Sequence, residues 1–248
     1  MNILIHGAAG RMGHAVAALA LAGAHGVTGA IGVDARGECA GIACVRSLDE
    51  VRDAPDCIVD FSNPAALDGL LHYALAERVP VVIATTGFSE SELQRIAAAA
   101  HEIPVFRSAN MSLGVALLTE LVKQAARTMA GEIEIVEAHH DRKLDAPSGT
   151  AKLLVQAVQS VRPAAYPVYG RSGMGKRTPD EIGVHAIRMG SIVGMHEVMI
   201  GTDSETITIK HEAHDRSLFA DGALAAAAFL IRQPAGLYDM SDLVKNSQ

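Results

Sequence analysis

The first 34 residues constrain the fold more than any other stretch of the chain. Residues 2–6, Asn-Ile-Leu-Ile-His, are a short apolar run that reads as a buried strand. A glycine-spaced turn follows at once, Gly7-Ala8-Ala9-Gly10-Arg11-Met12-Gly13, and then an Ala/Leu-rich helical pattern to about Ala24. A second strand, from Gly26 to Val33, ends at Asp34. Strand, glycine turn, helix, strand and acid, in that order, make a variant dinucleotide fingerprint. The glycines are spaced G-x-x-G-x-x-G rather than G-x-G-x-x-G, with the same physical uses: a tight turn, close backbone approach to a pyrophosphate, and close helix–sheet packing. Gly7, Ala8, Ala9, Gly10, Arg11, Met12 and Gly13 are therefore candidate cofactor-binding positions, with Arg11 a bidentate phosphate donor. Asp34 is placed to accept from the adenosine ribose 2′-OH and to repel a 2′-phosphate, which favours NADH. Arg36 offsets part of that repulsion, so NADPH stays usable. On its own, Asp34 is also an ordinary strand-end turn residue.

Strands and helices go on alternating. Cys57–Ser62 reads as a buried strand, Pro64 as the first residue of a helix running to about Glu77, and Val79–Ala84 as the next strand. Ser89 and Glu92 form a capping box for a helix to about His101, and Pro104–Arg107 is a short strand. Such alternation predicts an α/β, Rossmann-like parallel sheet, with ligands beyond the strand C-termini. The loops holding Ala84, Thr85 and Thr86, and Ser108, Ala109, Asn110 and Met111, then belong beside the glycine turn as nicotinamide and ribose contacts. They read equally well as plain turns.

The character changes after Ser112. A helix to about Met129 leads into a β-branched strand, Glu132–His140, then Asp141-Arg142-Lys143-Leu-Asp-Ala-Pro-Ser-Gly149-Thr150 and a helix from Ser148 to about Val161. Residues 162–181 read as a long Pro/Gly/basic loop. Three β-rich runs, Ile182–Met189, Ile192–Ile200 and Glu205–His211, fit an antiparallel meander in a mixed sheet. An Ala-rich helix, Phe219–Ile231, returns to the first domain. The expected division is a dinucleotide-binding domain of residues 1–111 and 219–248, and an α+β substrate-binding and oligomerisation domain of residues 112–218.

Neighbouring strand residues point to opposite faces, so His139 and His140 cannot share one task. Gly149 and Thr150 offer backbone N–H groups at a helix start, where an anion is favoured. The net charge is −7, yet cations gather between Arg142 and Arg188. An acidic chain with a basic middle argues against nucleic acid and for an anionic small molecule, although a solvated basic face explains the charge equally well. Cys39, Cys44 and Cys57 form no CxxC pair, so they read as small core residues, with no disulfide framework and no metal site. No apolar run approaches the roughly 18 residues that cross a bilayer. The N-terminus has no basic leader or cleavage signal, which fits a cytoplasmic protein without membrane association.

Taken together, these residues resemble the dihydrodipicolinate reductase family of lysine and diaminopimelate biosynthesis. The similarity spans essentially the whole chain. Its most specific part is Glu137-Ala-His-His-Asp-Arg-Lys-Leu-Asp-Ala-Pro-Ser-Gly-Thr150, supported by Gly7–Gly13, Thr85-Thr86-Gly87-Phe88, Ala109-Asn110 and Arg188-x-Gly190-x-Ile-Val-Gly194-x-His196. The resemblance implies NAD(P)H-dependent reduction of 4-hydroxy-tetrahydrodipicolinate, a small dicarboxylate, by way of dihydrodipicolinate. It also implies catalytic His139 and Lys143, substrate contacts from His140, Gly149 and Thr150, and a homotetramer in which the mixed sheets meet. Three departures bear on the cofactor. Ala84 replaces the family's first glycine of Gly-Thr-Thr-Gly, Met111 replaces a phenylalanine, and Val33-Asp34 replaces the Glu-Arg of some members.

In the implied chemistry, hydride adds to C4 of a cyclic conjugated imine, and water leaves the 4-hydroxy substrate before or during that step. A proton must follow, and Lys143, held among cations, is expected to have a lowered pKa and to supply it. Two rivals stand beside this reading: an amino-acid dehydrogenase such as an aspartate dehydrogenase on the same plan, and a nucleotide-sensing protein that has lost its chemistry.

Overall fold

The computed structural model describes residues 1–39 and 41–246. Ile3, Leu4 and Ile5 are all but completely buried, as a central parallel strand covered on both faces requires. They form β1 (Asn2–His6), followed by α1 (Arg11–Leu21), β2 (Gly29–Val33), a short β3 (Ala43–Val45) and β4 (Cys57–Asp60). Next come α2 (Leu67–Glu77), β5 (Val81–Ile83), α3 (Glu90–Ala99), β6 (Pro104–Arg107) and α4 (Leu113–Thr128). The capping box at Ser89 and Glu92 is formed, with the Ser89 N–H donating to Glu92 at 2.6 Å. Further along lie β7 (Glu132–His139), α5 (Gly149–Val161), β8 (Tyr166–Tyr169), β9 (Glu181–Arg188), β10 (Gly194–Gly201) and β11 (Thr206–Ala213). The chain closes with α6 (Ser217–Leu230), β12 (Gly236–Tyr238) and α7 (Met240–Lys245).

Two compact units result, Met1–Leu113 with Ser217–Gln248, and Gly114–Arg216. In the first, seven strands run parallel in the order β12-β6-β5-β4-β1-β2-β3. Strand order reverses between β1 and β4, so their carboxyl ends open a crevice at that switch point. The return of the chain through α6 and β12 finishes the sheet at the β6 edge. Gly222 of α6 lets the Met111 carbonyl lie directly on the helix, where any side chain would overlap it.

The second unit carries a five-stranded mixed sheet in the order β11-β10-β7-β9-β8. Its core joins Leu118 and Val122 of α4, Leu154 and Val158 of α5, and Ile133, Ile135, Val184, Val198 and Ile200 of the sheet. Two expectations need correction here. β9 and β10 are not meander neighbours, because β7 lies between them, parallel to β9 and antiparallel to β10. The presumed loop 162–181 contains β8, parallel to β9, where Pro167 is tolerated at the sheet edge. A third correction concerns the cysteines. Cys39 and Cys44 are joined in a disulfide, with Cα atoms 5.6 Å apart, whereas Cys57 is a buried free thiol whose pKa burial raises.

Insertion of β7 matters for chemistry. The turn from β9 to β10 must cross over its carboxyl end, and it bonds there: Met189 N–H to the His139 carbonyl at 3.0 Å, and His140 N–H to the Ile192 carbonyl at 2.8 Å. Both histidine backbones are thereby clamped.

Candidate active site

In the second unit the geometry converges on Glu137, which is fully buried. His139 Nδ1 lies 2.6 Å from one carboxylate oxygen, and the Ser148 N–H donates to the other at 3.0 Å. Arg188 donates to both oxygens, at 2.9 and 2.8 Å, and also to the Asp145 carbonyl at 2.7 Å. Burial raises the Glu137 pKa, but the hydrogen bonds from Arg188, His139 and Ser148 outweigh it, so the carboxyl titrates below its ordinary range. An ionised Glu137 only accepts, so His139 carries its proton on Nδ1 and leaves Nε2 as an acceptor. Burial lowers the His139 pKa against the pull of Glu137, and the charges of Lys143 and Arg188 lower it further.

His196 packs edge-on against His139, ring centroids 5.2 Å apart, and its Nε2 lies 2.9 Å from the Ser148 hydroxyl. Ser148 is the N-cap of α5, its Oγ accepting from the Ala151 N–H at 3.1 Å. The first residues of that helix are Gly149 and Thr150, and the peptide before Pro147 is cis. Lys143 Nζ sits 2.7 Å from Asp145 Oδ1, so its nearest charge is a carboxylate and not the cations expected from sequence. His140 is half-buried, with Nε2 3.5 Å from Arg216 and Nδ1 without a partner among the described residues. Glu137, His139 and His196 bring three ligand-type atoms within 4.8 Å of one another. The guanidinium on both Glu137 oxygens makes that a poor cation site.

In the first unit two clefts flank the glycine turn. One, about 650 Å³, is lined by Gly7, Gly10, Asp34, Arg36 and Arg46 together with Ser62 and Asn63. The other, about 540 Å³, is lined by Arg11, Met12, Ala84, Thr85, Thr86, Ala109, Asn110, Met111 and Phe219. Gly7 has φ +79°, and a side chain there would come within 2.8 Å of the Phe61 carbonyl. Gly13 lies against the Gly7 carbonyl and Ala8, so it serves helix–strand packing and lines neither cleft. Ala8 is buried beneath the turn, and Ala9 N–H donates to Asp34 at 3.1 Å. Arg36 grips Asp34 through Nε at 3.0 Å and a terminal nitrogen at 3.2 Å, and this contact above all holds the Asp34 pKa at about 2. Ser108 shapes its loop from within, its hydroxyl donating to the Asn110 carbonyl at 2.7 Å.

The sequence alone assigns no individual role to Glu137, Arg188, His196, Ser148 or the Asp60 loop. Asp60 is buried, 2.8 Å from His6 Nδ1, and accepts from the Ser62 hydroxyl at 2.6 Å, fixing the loop shared by both clefts. Histidine and arginine at matched places in the Arg188–His196 stretch were the available signal.

An all-parallel sheet with a glycine turn at its switch point, joined to a unit bearing a buried acid–imidazole pair, is the build of a nucleotide-dependent oxidoreductase. Residues 1–111 match the family model described as dihydrodipicolinate reductase, N-terminus, and residues 114–244 the one described as dihydrodipicolinate reductase, C-terminus. The 4-hydroxy-tetrahydrodipicolinate reductase of Caldanaerobacter subterraneus subsp. tengcongensis is 47% identical, over 99% of this chain and 98% of that protein. The enzyme of the same name from Alkaliphilus metalliredigens is 44% identical, over 98% of this chain and 99% of its own length. The solved dipicolinate-bound dihydrodipicolinate reductase from Paenisporosarcina sp. TG-14 shares the fold, with a TM-score of 0.80 at 22% identity, over 96% of this chain and 97% of that one. The chain belongs to the dihydrodipicolinate reductase family.

Burial, and then the charge of His139, pushes the His196 pKa down to about 4. An unfolded histidine takes up a proton near its ordinary pKa of about 6.5. The stability held by neutral His196 is therefore complete above that range and is lost as pH falls toward 4, up to about 3 kcal/mol. Urea unfolding across this interval is expected to show a stability that declines with acid, and a shallower decline in His196→Asn. An identical acid slope in the variant would remove His196 from this account.

Proposed function

We propose that this chain reduces 4-hydroxy-tetrahydrodipicolinate to tetrahydrodipicolinate in lysine and diaminopimelate biosynthesis, with a reduced pyridine nucleotide as hydride source. The observation that carries the reading is the Glu137 cluster: a buried carboxylate that fixes an imidazole, an arginine and the start of a helix within the family's own signature.

The first unit suits a dinucleotide. Its glycine turn has no room for side chains at Gly7 and Gly13, and Thr85, whose buried hydroxyl lacks a partner among the described residues, lines the second cleft. Asp34 and Arg36 would take the adenosine ribose, Arg11 and the turn the pyrophosphate, and Thr85, Thr86 and the Ser108–Met111 loop the nicotinamide end. NADH is the preferred cofactor, because Asp34 repels a 2′-phosphate, and NADPH is accepted. When bound, the nicotinamide supplies the hydride.

The remaining chemistry falls to residues of the second unit. Lys143 donates the proton that must follow hydride addition to the conjugated imine, and Asp145 holds its ammonium in place. His139 takes part through Nε2, the nitrogen that its bond to Glu137 leaves as an acceptor. His140 binds one substrate carboxylate, and the first N–H groups of α5 with Thr150 grip the other.

A cytoplasmic homotetramer is proposed with it. The sheet face turned away from α4 and α5 carries Val136, Met195 and Met199, half-buried, and Ile187, 40% exposed. Apolar residues from β7, β9 and β10 on one sheet face fit a self-complementary interface. No helix among the described residues is long and apolar enough to cross a membrane.

In a coupled assay the wild type is expected to turn over 4-hydroxy-tetrahydrodipicolinate with both reduced cofactors, at higher kcat/KM for NADH, and to leave aspartate untouched. Lys143→Ala is expected to lower kcat by about 10²–10⁴. A near-normal kcat with a raised KM would reduce Lys143 to a carboxylate contact. For the assembly, light scattering should give a tetramer mass for the wild type and a smaller species for Met199→Lys. An unchanged tetramer in that variant would place the interface elsewhere.

A further inference from the structure

We infer that Arg46, and not Arg36, is the residue that lets this chain accept a 2′-phosphate on the adenosine ribose. The inference rests on the reading of the Asp34 cleft as the adenosine end of the cofactor site.

Strand register puts Arg46 there. Val33 of β2 pairs with Val45 of β3, and the Asp34 N–H donates to the Val45 carbonyl at 3.1 Å. The residues that follow, Asp34 and Arg46, therefore leave two adjacent parallel strands side by side, at the carboxyl ends where such sheets bind ligands. Both line the same cleft, with Arg36 and Ser47.

The two arginines are differently committed. Arg36 spends its main-chain N–H, Nε and one terminal nitrogen on Asp34, so its charge serves to cancel that carboxylate. Arg46 donates only its main-chain N–H, to Glu50 at 3.3 Å, and its guanidinium has no acceptor among the described residues. The guanidinium lies against Gly37, where φ is +71° and a side chain would come within 2.9 Å of Arg46 Nε. Cys39, two residues past Gly37, is tied by a disulfide to Cys44 of β3, itself two residues before Arg46. Arg36 offsets part of the Asp34 charge, and the uncommitted guanidinium of Arg46 adds the positive charge and donors that a 2′-phosphate needs. A planar fork of unused donors beside Asp34, the proposed acceptor for the ribose, suits a phosphate, which it can hold through two parallel N–H···O bonds.

The test is calorimetric titration of the full chain with adenosine 2′,5′-bisphosphate and with ADP, which differ at the 2′ position and the second 5′ phosphate. Arg46→Ala is expected to raise Kd for the 2′,5′-bisphosphate by about tenfold or more while moving Kd for ADP by less than about twofold. Arg46→Lys should recover part of the loss, since it restores the charge without the fork. Equal losses for both nucleotides in Arg46→Ala, or a selective loss found in Arg36→Ala instead, would overturn the assignment. Failure of the wild type to bind either nucleotide would overturn the adenosine reading itself, and the assignment with it.

Discussion

A single buried carboxylate organises the second unit. Glu137 has no exposed surface, and an ion in that position is tolerated only where its lone pairs are met. They are met by groups from three elements: His139 beside it in β7, Arg188 at the end of β9 and the Ser148 N–H at the cap of α5. Each partner gains a fixed orientation from the bond. The imidazole gains a tautomer, Arg188 is aimed at the Asp145 carbonyl in the loop that carries Lys143, and the helix start is anchored where Gly149 and Thr150 present their N–H groups. The proposed proton donor and the proposed carboxylate grip are thus referred to one charge.

The first unit works by a different economy, in which backbone shape does most of the work. Its turn can follow the path from β1 to α1 only because Gly7 and Gly13 leave space for the neighbouring peptides. Asp34 closes the turn by accepting from Ala9 and is itself held by Arg36. Asp60 does the same for the loop after β4, so the two loops bordering the switch point are each tied down by a carboxylate at a strand end.

Much of this was legible in the sequence, because its strongest signals are local. The glycine turn, the capping box at Ser89, the buried strands around Ile3–Ile5 and Cys57–Asp60, and the Pro-Ser-Gly-Thr helix start all depend on residues within a few positions of each other. The misreadings were of pairings that a local pattern does not reveal. Three successive β runs look like a meander, and nothing local reveals that β7 slips between β9 and β10. A Tyr-Pro-Val-Tyr segment in Pro/Gly-rich surroundings hides an edge strand. Cys39 and Cys44 pair because the loop brings them together, which spacing alone could not show. Glu137 was visible within a motif, but a strand glutamate ordinarily faces water. Its role depends on Arg188, which only the fold delivers.

The central claim is that the Glu137 charge orients the proposed acid–base group and the substrate grip. The most direct measurement is steady-state turnover by Glu137→Gln with the fold verified by circular dichroism, since the amide keeps the shape and removes the charge. A folded variant whose kcat falls on the order of 10²-fold or more is the expected result, by the logic of an orienting carboxylate behind a catalytic imidazole. A folded variant that turns over at the native rate would contradict the account.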